Sequence, residues 1–220
     1  MNETGSHVSR AQTFGAKEFQ ERTGVSDHDL ARLEIFADVL TQWQQRMNLV
    51  SRSSMSDLWS RHMLDSAQLK NHLRGDDKSI LDLGSGAGFP GLVLGILTPG
   101  PVHLVESHRR KCAFLREAAR LTDANVVVHN ERIEQLDPFF VDVVTARALA
   151  PLTDLLAYAA PFLAENSRCL LLKGAKVRQE LTDSRKKWNM IVTEAKSLSD
   201  SSGTVLIIEG ISQRHDRRTH

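Results

Sequence analysis

The sequence has almost no net charge. Its 28 basic and 27 acidic residues leave +1 at pH 7 over 220 positions, so no global field marks a nucleic-acid partner and local patches must supply any such surface. The two cysteines, Cys112 and Cys169, stand apart without a CxxC or Cys/His spacing, which speaks against a zinc or disulfide framework and for two reduced, packed thiols. Nine histidines are scattered without ligand spacing, and no metal site is expected. Long hydrophobic runs are missing too. Residues 92–97 are far too few to span a bilayer, and the polar start Met1-Asn2-Glu3-Thr4-Gly5 carries no signal-like apolar segment. A cytoplasmic location and no membrane partner are therefore expected. There is no internal repeat, and low complexity is confined to the serine-rich loop at 197–202. What is present, 41% apolar and 25% charged residues, suits a soluble globular domain with an extension.

The apolar rhythm changes once along the chain. Residues 1–25 are polar, with Phe14 and Phe19 as the only large anchors, and read as a mobile tail leading into a short helical segment. After Ser26 and Asp27, residues Leu30, Leu33, Phe36, Leu40, Trp43 and Met47 recur at three- and four-residue steps, which predicts an amphipathic helix. A second helix is expected over 56–73, so 26–76 form a helical extension. From 77 to 212 short β-rich runs alternate with helical stretches, predicting an α/β domain with a parallel sheet covered on both faces. Strands are expected at 79–83, 102–106, 125–129, 141–145 and 168–173, and helices at about 90–98, 109–121, 152–163 and 175–187. The runs at 190–195 and 204–211 are joined by too short a link for a crossover helix, so they predict an antiparallel hairpin. The expected sheet is seven-stranded and mostly parallel, with an antiparallel last strand. Residues 213–220 read as a disordered basic tail.

The chain is organised around Ile80-Leu81-Asp82-Leu83-Gly84-Ser85-Gly86-Ala87-Gly88-Phe89-Pro90-Gly91. An apolar run that breaks into glycines and reaches a proline predicts a buried strand, a tight turn and a helix start, with Pro90 at the first helical position. The glycines satisfy both a methyltransferase spacing and the dinucleotide fingerprint, so they admit two cofactor classes. Glu106 ends the second strand about twenty residues on, where a carboxylate accepts both ribose hydroxyls of either cofactor, or stands as a surface glutamate at a strand end. Asn130-Glu131-Arg132-Ile133-Glu134 follows the third strand on the same edge, as an adenine-facing loop or a solvated one. Arg147, after the fourth strand, stays protonated and cannot serve as a base; it fits a clamp for a carboxylate or phosphate, or a structural ion pair. Lys173 closes the fifth strand at that edge. Arg109-Arg110-Lys111, with Arg52 and Arg61, is a candidate phosphate-binding surface. His62 reads as a helix-surface histidine worth watching. The terminal hairpin, in place of a second nucleotide-binding half, argues against a nicotinamide-dependent dehydrogenase.

In sequence order, the chain resembles the rRNA small subunit methyltransferase G family (the glucose-inhibited division protein B family) over roughly 30 to 210. The resemblance is carried by Trp43 and Asn48-Leu49, Arg61-His62 with Asp65-Ser66, the glycine turn with its Phe89-Pro90-Gly91 ending, Glu106 with Lys111 and Phe114-Leu115, Arg132-Ile133-Glu134, Arg147-Ala148, and Leu172-Lys173-Gly174. Met47 departs from it, standing where the family commonly has an aromatic residue. The resemblance implies a Rossmann-like class I S-adenosylmethionine-dependent methyltransferase. Its substrate would be N7 of a guanine of the position-527 type in 16S rRNA, met within the small ribosomal subunit or an assembly intermediate, with the enzyme a monomer. It implies cofactor contacts from Gly84, Phe89, Ile133, Glu134 and Arg147, to which the turn and strand readings add Ser85, Gly86 and Glu106. Arg147 and Lys173 are expected as positioning groups at the reaction centre, without a general base, and Arg61, His62 and Lys173 as substrate contacts.

Overall fold

The computed structural model describes residues 14–214, so the expected tail positions 1–13 and 215–220 lie outside the described residues. Seven strands form one sheet: β1 (Ile80–Leu83), β2 (Val102–Val105), β3 (Val126–His129), β4 (Val141–Arg147), β5 (Leu163–Lys173), β6 (Trp188–Lys196) and β7 (Thr204–Gln213). Their spatial order is β3-β2-β1-β4-β5-β7-β6. The first five run parallel, and β7 runs antiparallel to both β5 and β6. The hairpin expected from the sequence is present, with the last strand inserted between its partners. Strand β1 is buried along its whole length, as its unbroken Ile80-Leu81-Asp82-Leu83 run requires of a parallel strand covered on both faces. Chain order reverses between β1 and β4, so a crevice opens beyond their carboxyl ends, where open α/β sheets bind ligands.

Helices α1 (Ala16–Thr23), α2 (Asp27–Gln44), α3 (Arg52–Met55) and α4 (Asp65–Ala67) precede the sheet; α5 (Gly91–Leu97), α6 (Arg109–Thr122), α7 (Leu152–Ala159) and α8 (Val177–Ser184) connect its strands. One core joins α2, α5 and α6 to the sheet through Leu33, Phe36, Leu92, Leu104 and Phe114. The other, on the opposite face, joins α7 and α8 through Leu81, Val144, Leu155, Leu171 and Leu181. Ser26 caps α2 by accepting from the Asp29 amide, the role expected of a serine there. Arg32 of α2 then donates to the Thr122 and Ile96 carbonyls at 2.7 and 2.9 Å, fastening the extension to the ends of α5 and α6. No helix among the described residues is long and apolar enough to cross a membrane.

Three expectations need correction. Residues 16–25, grouped with the tail, contain helix α1. Glu18 accepts from the Gly15 amide at its start, and Phe19 is fully buried with its ring 5.3 Å from Trp59. The single helix expected over 56–73 is instead a π-turn at Trp59–Leu64, followed by α4 and a 3-10 turn at Gln68–His72. The expected helix 152–163 stops at Ala159, because Pro161 cannot continue the backbone ladder; a 3-10 turn follows at Ala160–Phe162, and β5 starts at Leu163.

Candidate active site

The glycine turn leaves β1 with Gly84, Gly86 and Gly88 at φ of 68°, 54° and 88°, a region that side-chain-bearing residues rarely occupy. At Gly84 space is also limiting, since a Cβ there would stand 2.7 Å from Leu149. Pro90 sits one position earlier than expected, at the helix cap, and Gly91 opens α5. The Gly91 amide donates to Asp82 Oδ2 at 3.2 Å, and the Thr145 hydroxyl donates to Asp82 Oδ1 at 2.9 Å. Asp82 is wholly buried. Burial pushes its pKa up to about 6, against the hydrogen bonds that favour its charge. This carboxylate thus joins the turn to β4 across the switch point.

Glu106 follows β2 with its carboxylate turned toward the glycines. Its Oε2 accepts from the Gly86 amide at 3.1 Å and its Oε1 from the His108 amide at 2.6 Å. Glu106 shares a cavity of about 370 Å³ with Gly84, Gly86, Ile133, Glu134 and Arg147, so most of the expected cofactor set converges there. Two members do not line it. Ser85 is buried, its hydroxyl donating to the Asp82 carbonyl. Phe89 is also buried, and its ring supports other side chains. Tyr158 of α7 completes the wall beside Glu134. Nothing in its helical pattern set it apart in sequence.

A second cavity, of about 650 Å³, adjoins the first and is lined by Arg61, His62, Asp65, Lys173 and Asp200. The expected substrate set therefore shares one wall. Arg147, Ala148 and Leu149 line both cavities. Ala148 holds a φ of 51°, a conformation that costs a non-glycine residue energy and tends to occur at functional turns. Arg147 Nη1 stands 3.5 Å from Asp65 Oδ2 and donates to the Arg61 carbonyl at 3.1 Å. The guanidinium carbon lies 5.1 Å from the Phe89 ring centre, within cation–π range. Burial raises the Asp65 pKa, opposed by a hydrogen bond from Ser199 and by Arg147. Ser199 donates to Asp65 Oδ1 at 2.7 Å, and the Leu198 amide donates to Gln68 Oε1 at 2.8 Å. The β6–β7 loop is thereby latched to the segment carrying Arg61 and His62.

Lys173 is less free than its place at a strand end suggested. Its Nζ donates to Glu180 Oε2 at 2.7 Å and to the Ala150 carbonyl at 2.9 Å, and Glu180 also accepts from the Leu152 amide at 2.8 Å. Lys173 therefore ties the loop after Arg147 to α8. His62 is not a surface histidine: 9% of it is exposed, and its ring stacks on Phe89 at 4.9 Å and 24°. His62 lies within the π-turn, and its ring faces Phe89 of the glycine turn. Of the basic cluster, Lys111 lines the smaller cavity and Arg61 the larger, while Arg110 donates to the Arg46 carbonyl at 3.4 Å.

Residues 29–214 match the family model described as rRNA small subunit methyltransferase G. A ribosomal RNA small subunit methyltransferase G of Paramagnetospirillum magneticum is 52% identical over 200 residues, covering 91% of this chain and 98% of that protein. Its counterpart from Rhodospirillum rubrum is 51% identical, covering 84% and 92%. Among solved structures, a TehB-like SAM-dependent methyltransferase of Corynebacterium glutamicum superposes with a TM-score of 0.55 at 16% identity, covering 77% of this chain and 97% of that one. The glycopeptide N-methyltransferase MtfA, solved with S-adenosylmethionine, gives 0.54 at 12%, covering 67% and 93%. At such identities these two likenesses establish the fold, that of the class I methyltransferases.

Proposed function

Since the chain belongs to the rRNA small subunit methyltransferase G family, we propose that it transfers a methyl group from S-adenosylmethionine to N7 of a guanine, of the position-527 type, in 16S rRNA. The observation that carries this reading is the meeting of two cavities at Arg147, Ala148 and Leu149. One cavity holds the ribose- and adenine-binding residue types, and the other opens beside the basic Arg61.

The residues present fit the cofactor. Gly84 and Gly86 leave the backbone bare where a nucleoside must approach, and the Glu106 carboxylate, already aimed at the Gly86 amide, accepts the ribose hydroxyls. Ile133 and Glu134 flank the adenine, and Arg147 clamps the amino-acid carboxylate. When bound, S-adenosylmethionine supplies an electrophilic methyl group on a sulfonium centre. Guanine N7 has a free lone pair, so no side chain needs to remove a proton, and the protein's task is to hold two reactants in line. Two of the acids lining the larger cavity suit this task. Asp65 stands beside Arg147 and Glu180 beside Lys173, so neither presents an uncompensated charge to the sulfonium.

In this reading, residues 26–76 supply the substrate side through Arg61 and His62, and residues 77–212 supply the cofactor side. Near-neutral overall charge favours recognition within the folded small subunit or an assembly intermediate over strong binding of naked RNA. One chain walls both cavities, consistent with a monomer. Mass mapping of 16S rRNA from cells with and without the gene tests the proposal. Loss of one N7-methylguanine on deletion is expected, and an unchanged methylation map overturns it. Titration of the protein with S-adenosylmethionine and with NAD checks the cofactor, and binding of NAD alone would refute it.

A further inference from the structure

We propose that His62 reads the target base: its imidazole contacts the guanine seated in the larger cavity and sets N7 toward the methyl group. The proposal rests on the guanine reading above and adds to it a residue that recognises the base.

Three observations converge on this ring. His62 lines the larger cavity beside Arg147, where both cavities meet. It is nine-tenths buried, yet neither Nδ1 nor Nε2 has a hydrogen-bond partner among the described residues, and neither is exposed to solvent. Two unpaired polar atoms of one side chain are a standing cost to the fold, since a buried group without a partner forfeits its hydration for nothing. The ring orientation is nevertheless fixed, stacked on Phe89 at 4.9 Å. Phe89 in turn leans on Phe36 at 5.1 Å. A phenylalanine or leucine would fill the same apolar niche without that cost, so a histidine there is unfavourable for stability alone.

The chemistry of the product explains why a neutral imidazole fits. Attack by N7 forms the nitrogen–methyl bond, breaks the sulfur–methyl bond, and leaves the electron pair on sulfur, so the positive charge passes from sulfur to the purine. A cationic side chain against the purine would oppose that transfer. Burial, Arg147 and Arg61 together push the His62 pKa down to about 3, so the ring meets the base uncharged. A neutral imidazole also offers one N–H donor, which suits the O6 acceptor that guanine presents beside N7. Arg147, which shares the Phe89 ring with His62, is the neighbour that must shift for the base to reach these nitrogens. Its clamp on the cofactor supplies the reason for it to do so.

The test uses His62→Phe and His62→Gln in the full chain, with small subunits from cells lacking the enzyme as substrate. For His62→Phe we expect an unfolding temperature equal to or above wild type, S-adenosylmethionine affinity within twofold, and kcat/KM at least tenfold lower. His62→Gln, which restores a donor and an acceptor in a different geometry, is expected to recover part of that loss. Wild-type kcat/KM in His62→Phe overturns the proposal. So does a joint fall of unfolding temperature and cofactor affinity in both variants, which would make His62 a structural residue. If the wild-type protein itself fails to form N7-methylguanine on these subunits, the guanine reading fails, an outcome distinct from either.

Discussion

The Arg147 guanidinium carbon stands 5.1 Å from the centre of the Phe89 ring, so the last residue of β4 rests on the end of the turn that follows β1. The same arginine faces Asp65 at 3.5 Å. Replacing Arg147 with alanine should leave the fold intact and cut turnover at least tenfold, with weakened S-adenosylmethionine binding. Circular dichroism checks the first part and methyl-transfer assays with calorimetry the second. Full activity in this variant would remove Arg147 from the site.

Phe89 acts through what it supports. It is 4% exposed, stacks with His62 and meets Phe36 in a tilted contact. Phe89→Ala should therefore cost about 3–5 kcal/mol of stability from the cavity it leaves, measured by urea unfolding. Phe89→Leu should cost less stability while still lowering turnover, because Arg147 loses its aromatic seat. Equal turnover in Phe89→Leu and wild type would separate the ring from the reaction.

Asp82 makes stability depend on pH in an uncommon direction. Its pKa is raised from 3.8 to about 6 in the folded protein, so between those values the folded state binds more protons than the unfolded one. Its contribution is fully present below pH 4 and is lost as pH rises to about 6, by up to about 3 kcal/mol. Asp82→Asn carries no such loss, so its stability relative to wild type should improve by that amount between pH 4 and 7. A difference that stays constant with pH contradicts the assignment.

Lys173 and Glu180 should behave as one unit. With 8% and 25% of their side chains exposed, the pair is shielded enough that removing either partner leaves a poorly solvated charge. A double-mutant cycle with Lys173→Met and Glu180→Gln should give a coupling energy of about 1–3 kcal/mol in unfolding. Lys173→Met should also slow methyl transfer by loosening the loop around Ala148. Additive single mutants would show that the ion pair does not organise the loop.

Gly91 is required for room alone, whereas Gly84 combines a close contact with a positive φ. A Cβ there would meet Asp82 Oδ2 at 2.5 Å and press on Leu104. Gly91→Ala should cost about 1–3 kcal/mol and weaken cofactor binding as α5 is pushed off β1. Thermal unfolding and cofactor titration report these effects, and wild-type values in both would show that α5 has room to shift.

Where local pattern and global fold agreed, the sequence could be read directly. The Ile80–Leu83 run, the spacing from the glycines to Glu106 and the short link between the last two runs each have one physical solution, and the structure contains it. The exceptions are places where a distant partner decides. Nothing near Lys173 in sequence announces Glu180 as its ion-pair partner. The burial of His62 is decided by the distant ring of Phe89, which no local pattern announces. The short helical segment expected before residue 26 is present as α1, but its anchoring through Phe19 needs Trp59 to be brought to it. Phe89 is expected from the sequence as a cofactor contact, whereas the structure shows a buried ring that serves as a floor beneath other side chains.

The position of β7 bears on how the chain is made. Strand β6 pairs only with β7, and β7 also covers the outer edge of β5, so two strands synthesised earlier wait for one synthesised after them. Until residues 204–213 leave the ribosome, the nascent domain carries a bare sheet edge at β5 and an unattached β6. A stop codon at position 204 would therefore be as damaging as one far upstream, although it spares every residue of both cavities except Thr204.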